Sequence, residues 1–517
     1  MKRILIAILL LMSNVIILQA QKLTVDKVYK SYMRNSGTIM ENNQTKGYFF
    51  LYQSDKIDRN TNEYTLQILD QNLNKVKDIK FEDSKKLSLL ESSYNGSTIG
   101  FLFKNEDSKT LDFKVYDLSG KLKYVYTRDY DRRTEDLMKR YEMMQTDEST
   151  NQNVFDMGED GYATVLPLRD GKLRTYEVDY FSSGQKKQWA YVPDDDEEKY
   201  ASAEFLGNSD SLIFLQVMKK NRAMSSDVSA HLVGINFITK KKQFDLNFDN
   251  DKFKFVATNL LPIKGTNKFM VMGSYFNPDD NVIKDFSKGL AVYVMDTKGT
   301  SITKTYNSWA EDFAKFLPVN SKGKLENIGY LFIHNMLQTP EGKMYVVSEG
   351  YKRQANAAGI AFNVLMAAGG GVGTTGNTKM VVTDMVIMEL NDKFKLTKAT
   401  VYDKTDNTAS TLGDLISQHA MAVYMDAMGA FDYAFTTGEP DNSNFSICYN
   451  DYEKSSDFKG KTFNSIHFNG SKFTTDKIEL KSKATIMKIF PAKAGSIMIM
   501  EYFKKDKKLD FRLEKLG

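Results

Sequence analysis

Short apolar segments alternate with polar turns along almost the whole chain. The recurring unit, which occurs about eight times, is an apolar strand, a loop, a second strand and a tight polar turn, as in Gly96 to Lys121 and Asn267 to Gly299. Apolar or alternating runs of about five to eight residues bounded by turn formers are typical of β-strands. With the strand that follows each turn, a unit holds about four strands. The pattern therefore predicts a modular all-β chain.

Seven tight polar turns set the register of these strands. Asp and Asn favour such positions because their side chains bond the local backbone, and Gly supplies positive φ without strain. Each turn leads from the third strand of a unit to its fourth, so we expect all of them on one face of the protein. The turns lie at Leu69–Lys75, Tyr116–Lys121, Asp179–Lys186, Ile235–Lys241, Met295–Gly299, Leu390–Lys395 and His467–Lys472.

The two ends of the chain complement each other in this pattern. The last unit, which begins at Gly495, has its two central strands and then stops without a polar turn or an outer strand. The segment from Lys22 to Ser31 is strand-like and has no unit of its own. In a closed ring of four-stranded sheets, the first segment can complete the last sheet and remove its open edge. The pattern predicts a ring closed by the N-terminal strand.

This arrangement resembles the β-propeller superfamily, and more specifically exported propeller-like proteins of uncharacterised function. The resemblance rests on architecture over nearly the whole chain. Trp-Asp dipeptide repeats, kelch double glycines and Asp-boxes are absent, and Thr339 to Val347 is only loosely similar to a turn-strand phrase common in propellers. The resemblance implies an all-β, seven- or eight-bladed β-propeller with short helical insertions on one face. Residues 21–517 would form a single domain.

The start of the chain predicts export. Lys2 and Arg3 precede an apolar run, and Ala20 supplies a small residue at the cut site, which is the pattern of a cleaved signal peptide over residues 1–20. No cysteine follows the cut, so we expect no lipid anchor. The mature chain also has no apolar run of about 20 residues, the length that a spanning helix needs. We expect a soluble protein of the periplasm or the cell exterior.

The amino-acid composition argues against a nucleic-acid partner and against an internal disulfide. The 70 Lys and Arg residues nearly balance 66 Asp and Glu, the formal net charge is +4, and the two signs are interspersed. Nucleic-acid-binding proteins concentrate basic residues on one stretch or face, so we expect no nucleic-acid partner. Cys448 is the only cysteine and cannot form an internal disulfide. Its alternating apolar surroundings predict a small core residue.

Insertions interrupt the repeat on the face opposite the tight turns. Three of them carry helical signals: an acidic first turn after Thr134, and capping boxes formed by Ser308 with Glu311 and by Thr411 with Asp414. Insertions that follow a second or a fourth strand emerge on the same side of a blade, which predicts one decorated face. They lie near residues 129–150, 304–325, 354–378 and 404–425.

The insertion between Gln354 and Thr378 has no charged residue and is rich in glycine. Loops of this length inside a compact domain are often functional or disordered. Its apolar part could pack within its own protein, dock on a partner or contact a membrane surface peripherally. Because aromatic and aliphatic anchors commonly carry interface energy, we predict partner-binding residues on this face. They are Trp309, Phe313, Phe316, Phe362, Leu365 and Met366.

Cofactor motifs in the sequence lack the context they need. Gly371, Gly373 and Gly376 form a G-x-G-x-x-G pattern, but a helix-like run precedes it and a strand follows, which reverses the order of a dinucleotide site. Zinc sites need three or four ligands at close spacing. The histidines lie far apart, so each is interpreted as an ordinary strand or helix residue. They are His231, His334, His419 and His467.

Acidic pairs leave calcium as an open but weaker alternative. Asp156 with Asp160, and Asp249 with Asp251, have closely spaced oxygens of the kind that calcium loops use. Neither pair matches the full loop pattern, so turn chemistry is the preferred interpretation, and we predict no cofactor and no catalytic residue.

The sequence therefore predicts a non-enzymatic, exported binding or scaffolding protein that engages a cell-envelope protein partner through the insertion-bearing face. The alternative is an exported glycan-active or other hydrolytic enzyme, in which carboxylates from several blades meet at the central channel.

Overall fold

The computed structural model describes residues 21–41, 44–131, 135, 152–171, 173–185, 187–193, 199–222, 225, 227–248, 252–263, 266–355, 378–409, 418–493 and 495–516. These residues form eight antiparallel sheets, six of four strands and two of five. Seven sheets take consecutive strands of the chain, and the eighth takes its outer strand from the N-terminus. Successive four-stranded meanders of this kind form an eight-bladed β-propeller.

The first four blades run from their innermost strand outward as follows. The first blade comprises β2 (Lys30–Ser31), β3 (Gly37–Glu41), β4 (Gln44–Lys56), β5 (Thr61–Asp70) and β6 (Lys75–Ser84). The second comprises β7 (Leu87–Tyr94), β8 (Thr98–Asn105), β9 (Thr110–Asp117) and β10 (Leu122–Asp129). The third comprises β11 (Val154–Asp156), β12 (Gly161–Asp170), β13 (Leu173–Ser182) and β14 (Gln188–Tyr191). The fourth comprises β15 (Ala201–Asn208), β16 (Leu212–Lys220), β17 (Val228–Asn236) and β18 (Lys241–Asn247).

The last four blades follow the same order. The fifth comprises β19 (Lys254–Ile263), β20 (Lys268–Phe276), β21 (Gly289–Asp296) and β22 (Ser301–Ser308). The sixth comprises β23 (Tyr330–Gln338), β24 (Met344–Ala355), β25 (Thr378–Leu390), β26 (Leu396–Tyr402) and β27 (Asn407–Ala409). The seventh comprises β28 (Tyr433–Gly438), β29 (Phe445–Lys454), β30 (Lys459–Phe468) and β31 (Phe473–Glu479). The eighth comprises β32 (Ile486–Pro491), β33 (Ser496–Phe503), β34 (Lys508–Lys515) and β1 (Lys22–Asp26). Helical segments of the described chain are α1 (Gln418–Ala427) and the 3₁₀ turns Met33–Asn35 and Phe313–Lys315.

The seven predicted polar turns all join the third strand of a blade to its fourth, as the sequence indicates. In the second blade, Gly120 adopts φ 84° and donates its N–H to the Asp117 carbonyl at 2.9 Å. The Asp117 carboxylate accepts the Lys121 N–H, also at 2.9 Å. The local hydrogen bonds that favour Asp and Gly in turns therefore fix these corners.

Apolar side chains are buried between neighbouring blades rather than in one central core. Phe214 on β16 and Phe269 on β20 pack with ring centroids 4.4 Å apart between the fourth and fifth blades. Phe50 on β4 and Phe511 on β34 do the same, at 4.6 Å, between the first and eighth blades. Full burial of one such side chain contributes about 1.5–3 kcal/mol. The ring is thus held by eight similar interfaces, and the first blade packs directly on the last.

The first strand of the chain lies in the last blade. β1 pairs antiparallel with β34 over five residue pairs, beginning with Lys22 opposite Arg512. Just beyond the strand, the Val28 N–H donates to the Lys507 carbonyl at 2.8 Å, and the Val28 side chain is fully buried. The two ends of the chain are therefore joined by main-chain hydrogen bonds as well as by packing.

A polar bridge connects the second and third blades. Arg128 on β10 contacts Asp179 at 3.2 Å and Glu177 at 2.7 Å, both on β13. The Asp179 carboxyl is buried, and its Oδ1 atom has no hydrogen-bond partner among the described residues. Burial and the adjacent Glu177 raise the pKa of Asp179 to about 7, while Arg128 and Thr164 oppose the shift. The folded protein therefore favours the neutral form of this carboxyl.

This raised pKa predicts a pH dependence of stability. An unfolded aspartate has a pKa of about 3.9, so the stabilisation that comes from holding Asp179 neutral is complete below about pH 4 and is lost as the pH rises through about 7. We expect Asp179→Asn to gain roughly 2 kcal/mol relative to the wild type between pH 5 and pH 8. Urea unfolding at both pH values measures this gain. Glu177→Gln, which removes the neighbouring charge, should reduce the pH dependence, and an unchanged difference between Asp179→Asn and wild type would contradict the prediction.

Candidate functional site

The two faces of the propeller differ in their loops. The turn face carries the seven tight turns and the loops between first and second strands. The insertion face carries the loops between second and third strands and the connections from one blade to the next. The predicted insertions belong to the insertion face. Their parts at 132–134, 136–151, 356–377 and 410–417, with Thr134, Thr411 and Asp414, lie outside the described residues.

The sixth blade carries an ordered extension on the insertion face. β24 and β25 are 12 and 13 residues long, and their pairing continues to Ala355 opposite Thr378. β27 pairs with the start of β25, and α1 packs beside it. The buried side chains of this cluster are Tyr330, Tyr351, Met380, Val382, Ala409, Met421, Ala422, Met425 and Phe431. The extension is therefore a packed layer with its own apolar core.

The segment after β22 differs from the helix that its sequence predicts. The described helical turn is only the 3₁₀ segment Phe313–Lys315. Ser308 Oγ accepts the Glu311 N–H at 3.3 Å, which is one half of a capping box, but the Ser308 N–H donates to Asp312 Oδ2 at 2.9 Å instead of to Glu311. The carboxylate one residue later completes a tight loop, and the described segment forms isolated turns rather than a continuous α-helix.

The predicted anchor residues have contrasting environments. Trp309 and Phe313 are buried, with ring centroids 4.4 Å apart, and Trp309 Nε1 donates to Ser287 Oγ at 3.1 Å. They fix the loop to the fifth and sixth blades and present little surface to a partner. Phe316 is 39% exposed and remains available for contact. The other three predicted anchors, Phe362, Leu365 and Met366, lie outside the described residues.

A buried charge cluster joins the sixth blade to the seventh. Lys404, which follows β26, places Nζ 3.0 Å from Glu349 Oε1 and also contacts the Asp432 carboxylate. The Glu349 side chain on β24 accepts the backbone N–H groups of Asp432 and Tyr433, each at 3.1 Å. Both the Glu349 and the Lys404 side chains are fully buried. The cluster therefore fixes the start of β28 against the sixth blade.

Neighbouring charges decide the ionisation of this cluster. Burial opposes ionisation of Glu349, but His334 and Lys404 outweigh it and hold the pKa of Glu349 below its ordinary value. Burial also opposes the charge on Lys404, yet Glu349 and Asp432 raise the pKa of Lys404 above its usual range. Burial raises the pKa of Asp432 to about 6, against the attraction of Lys404. Glu349 and Lys404 are thus a charged pair in the folded protein at neutral pH.

His334 connects this cluster to the centre of the ring. It lies on β23, the innermost strand of its blade, with Nε2 3.2 Å from Glu349 Oε2 and Nδ1 3.7 Å from Asp426 Oδ1 on α1. Its ring stacks on Tyr433 at 4.7 Å between centroids. A histidine between two carboxylates can pass a proton from one to the other, but its contacts also suit a purely structural role.

Two inner carboxyl groups have raised pKa values. Partial desolvation raises the pKa of Asp426, although its side chain is still 46% exposed; His334 lowers this pKa and Glu349 raises it. Partial desolvation and the nearby Asp426 raise the pKa of Glu204 on β15, the innermost strand of the fourth blade, although the Glu204 side chain is exposed. α1 therefore reaches from the sixth blade towards the fourth. Raised carboxyl pKa values suit general acids, and among the described residues no group of three His, Cys, Asp or Glu is placed to hold a metal ion.

The remaining candidate residues lie apart from this centre. His231 Nδ1 is 2.6 Å from Asp245 Oδ1 in the fourth blade, and His467 Nδ1 is 3.0 Å from Ser446 Oγ in the seventh. His419 lies in α1, and its side chain is outside the described residues. Cys448 is fully buried, which confirms the predicted core role, and burial raises the pKa of its thiol to about 12.

The acidic and glycine motifs give little support for a bound ion or nucleotide. Asp156 is exposed, and its Oδ1 atom accepts the Gly158 N–H at 3.5 Å, a local contact of the kind that turns make. The Asp160 carbonyl accepts the Tyr180 hydroxyl at 3.0 Å, as part of a turn. Asp249, Asp251 and the glycines at 371, 373 and 376 lie outside the described residues.

A basic groove opens between the seventh and eighth blades on the insertion face. It has a volume of about 720 Å³, and one wall is the tip of the β29–β30 hairpin, with Tyr452, Phe458, Lys459 and Lys461. Residues 480–487, which lead into the eighth blade, form the other wall. Lys481 on that wall lies 5.6 Å from the centre of the Phe458 ring. The groove thus combines cations with aromatic surface.

Strand register concentrates positive charge in this basic groove. Lys459 pairs with Lys454, and Lys461 pairs with Tyr452, so these four side chains share one face of the hairpin. Tyr452 is 40% exposed. Lys481 is neutralised by Glu479 at 2.8 Å. In the described part of the chain, neither Lys459 nor Lys461 makes an ion pair. Like charges directly opposite each other destabilise a hairpin, and an anionic partner would relieve that repulsion.

No helix in the described part of the chain is long and apolar enough to cross a membrane. Some solved structures are similar to this chain, with low TM-scores and low sequence identity. Prolyl oligopeptidase B from Galerina marginata has a TM-score of 0.39 and 8% identity, with 92% of this chain covering 56% of that protein. A post-proline cleaving enzyme from Rickettsia typhi has a TM-score of 0.39 and 10% identity over 92% of this chain and 58% of its own. Cobalt-substituted Synechocystis ACO has a TM-score of 0.29 and 7% identity over 54% and 61%.

The chain thus spans less than two thirds of the length of these proteins, and similarities this low carry no information on activity. No curated protein matches the sequence significantly. A family model, by contrast, matches the whole chain, residues 1–517. The chain belongs to DUF6770, a family of unknown function.

Proposed function

We propose that this protein is an exported binding or scaffolding module that engages an acidic region of a cell-envelope protein through its insertion face. The observation that carries the proposal is the basic groove between the seventh and eighth blades. Its concave shape, unpaired Lys459 and Lys461, and the aromatic rings of Tyr452 and Phe458 suit the recognition of carboxylates on a folded partner.

Export supports an envelope partner. Lys2 and Arg3, the apolar run after them and the small residue Ala20 match a cleaved signal peptide. The mature protein would enter the periplasm or the cell exterior. Cys448 is buried and is the only cysteine of the chain, so an exported fold would rest on its apolar core and not on an internal disulfide.

A rigid ring supports a binding role on the insertion face. β1 completes the eighth blade, and we propose that this pairing closes the propeller and protects the edge of β34. The extension of the sixth blade packs on the same platform. Interfaces built on preorganised surfaces lose less conformational entropy on binding. Phe316 and Val423, 39% and 52% exposed, add apolar contact area on this face.

The exposed apolar side chains do not select a face by themselves. Val76, Leu122, Ile238 and Ile302 are also exposed, and each lies at or beside the start of an outer strand near the turn face. They lie on separate blades, and isolated exposed apolar residues are ordinary on soluble proteins. The basic groove differs from these isolated side chains because it is concave and positively charged.

We expect charge reversal in the basic groove to remove the partner. The variant Lys459→Glu with Lys461→Glu should bind the envelope partner at least about 10-fold more weakly, because two attractive charges become repulsive ones. Tagged wild type and variant are compared by quantitative mass spectrometry after cross-linked capture from membrane and soluble fractions. The captured protein is then purified, and its affinity is measured at low and high salt.

A matched variant on the turn face provides the control. Lys240→Glu with Lys298→Glu makes the same charge change at exposed turns of the fourth and fifth blades and should leave capture unchanged. If both variants lost capture equally, the loss would be an effect of net charge and not of the basic groove. If the groove variant captured the partner as well as the wild type, the basic groove would be rejected as the binding site. If the tagged protein bound an anionic glycan and captured no protein, the proposal of a protein partner would be rejected.

A further inference from the structure

A serine, a histidine and an aspartate form a continuous chain of hydrogen bonds in the fourth blade. Ser229 Oγ lies 3.0 Å from His231 Nε2, and His231 Nδ1 lies 2.6 Å from Asp245 Oδ1. The two ring nitrogens are thus used as in a serine hydrolase, one towards the nucleophile and one towards the acid. This arrangement is recognised by geometry and not by sequence position, since it recurs on unrelated folds.

Strand register explains how these residues meet. Ser229 and His231 are two apart on β17 and therefore share one face. Asp245 on β18 pairs with Val233, so its carboxylate reaches His231 diagonally across the strand pair. Lys219 on β16 is the register partner of Ser229 and places its ammonium on the same face, 2.6 Å from Asp245 Oδ2. The constellation is held by three adjacent strands of one sheet.

The charge on Asp245 sets the histidine tautomer. Burial opposes ionisation of Asp245, but His231 and Lys219 outweigh it and hold the pKa of that carboxyl far below its ordinary value. An ionised carboxylate only accepts hydrogen bonds. His231 therefore carries its proton on Nδ1, and Nε2 is free to accept the proton of the Ser229 hydroxyl. The His231 side chain is only 8% exposed, whereas Ser229 is half-buried and reaches solvent.

We propose that Ser229 is a nucleophile for acyl transfer, with His231 as its general base and Asp245 as the positioning acid, and that the substrate is a small acyl ester. Ser229 Oγ attacks the ester carbonyl while its proton moves to His231 Nε2. The ester C–O bond then breaks, and the same proton passes to the departing alkoxide. Water attacks the acyl-serine by the same route, which releases the carboxylic acid and restores the Ser229 hydroxyl.

The surroundings of Ser229 select an ester over an amide. Ser229 lies within a strand and not at the sharp turn before a helix, where backbone N–H groups usually form an oxyanion hole. The Lys219 ammonium supplies positive charge on the same face instead. With weaker stabilisation of the oxyanion, an alkoxide leaves more readily than an amine. The sheet face packs against the third blade, and the His231 side chain is nearly buried, so a short acyl group is the substrate that we propose.

The chain contains a matched control for this constellation. Ser446 Oγ lies 3.0 Å from His467 Nδ1 in the seventh blade, the same distance as in the Ser229 pair. Among the described residues, His467 has no carboxylate partner. Ser446 should therefore remain unreactive under conditions that modify Ser229. The comparison separates an activated serine from a serine that merely bonds a histidine.

A fluorophosphonate probe tests the proposal on the full-length exported protein. We expect one covalent adduct, mapped by peptide mass spectrometry to Ser229 and not to Ser446, together with hydrolysis of p-nitrophenyl acetate. Ser229→Ala should abolish both, and His231→Gln and Asp245→Asn should slow labelling by at least about 100-fold. Ser446→Ala should change neither.

Two results would overturn the proposal. One is a folded wild-type protein that takes no adduct on Ser229 at millimolar probe, and the other is equal labelling rates in wild type and His231→Gln. Circular dichroism establishes that each variant is folded. The wild-type labelling needs no variant, so the test remains decisive even where a substitution impairs folding.

Discussion

Replacing Lys404 with methionine is expected to destabilise the folded protein by about 3–5 kcal/mol. Lys404 is fully buried, and it neutralises the equally buried Glu349 while contacting Asp432. Methionine keeps most of the volume of the side chain but leaves two carboxyl groups in a site with little water. The cost arises from this uncompensated charge more than from the lost contacts. Urea unfolding followed by intrinsic fluorescence measures it.

Two comparisons isolate the role of burial at Lys404. Glu349→Gln leaves Lys404 paired with Asp432, so it should be less destabilising than Lys404→Met. Lys477→Met breaks an ion pair with Glu453 in which the lysine is exposed, and it should change stability little because solvent screens such pairs. If Lys404→Met and Lys477→Met were equally mild, Lys404 would be solvated and the buried cluster would not exist as described.

The sequence could not identify this cluster. Lys404 stands in a polar stretch with Asp403 and Asp406, which is the usual composition of a solvated loop. Its burial results from packing of this stretch between the sixth blade and the start of β28, more than 25 residues further along the chain. Only the assembled ring brings Glu349 and Asp432 to it. Long-range burial of charge is therefore invisible to local pattern analysis.

The local elements, by contrast, were predictable because their causes are local. Turns such as Asp117 to Lys121 are specified by Asp and Gly acting on the adjacent backbone. The strands follow from apolar runs between those turns. The sequence predicts seven or eight blades and the structure has eight, of which the first and third contain the very short strands β2 and β11.

The predicted anchors show that an apolar pattern alone does not distinguish a buried face from a partner-binding face. Trp309 and Phe313 have the spacing of an amphipathic helix, and such a stripe marks a buried face as readily as a binding face. In the structure they pack into the interface between the fifth and sixth blades. The basic groove could not be predicted, because no local pattern marks it. Lys459, Lys461 and Lys481 are separated in sequence and meet only across two blades.

Ser229 and His231 were partly accessible to sequence analysis. Their spacing of two on a predicted strand places them on one face, and the tight turn before β18 fixes where the next strand begins. Counting across the turn alone, however, places Asp245 opposite Leu232, and it is the register shift between Gly234 and Ile235 that brings Asp245 opposite Val233, on the face of His231. The spacing of Ser229 and His231 is therefore visible in the sequence, whereas the position of Asp245 depends on a β-bulge that the local pattern does not reveal.

Deletion of residues 22–27 is expected to destabilise the ring more than any single substitution considered above. The deletion removes β1 and its five residue pairs with β34, and it withdraws the half-buried Leu23 and Val25 from the cluster between the last and first blades. The newly exposed edge of β34 would then template pairing with other chains. We expect a loss of at least about 5 kcal/mol, together with concentration-dependent oligomers in size-exclusion chromatography and a lower unfolding temperature.

The control and the rescue of this deletion depend on strand pairing. Serine at the exposed positions Lys22, Thr24 and Asp26 keeps the backbone of β1 and should change stability by less than about 1 kcal/mol. A synthetic peptide of residues 21–28 should bind the truncated protein by adding a strand to β34 and restore its monomeric state. A truncated protein that remains monomeric and as stable as the wild type would show that packing of the first blade on the eighth is sufficient for ring closure. In that case the pairing of β1 would be dispensable, whereas rescue by the peptide would locate the closing interaction in the backbone hydrogen bonds between β1 and β34.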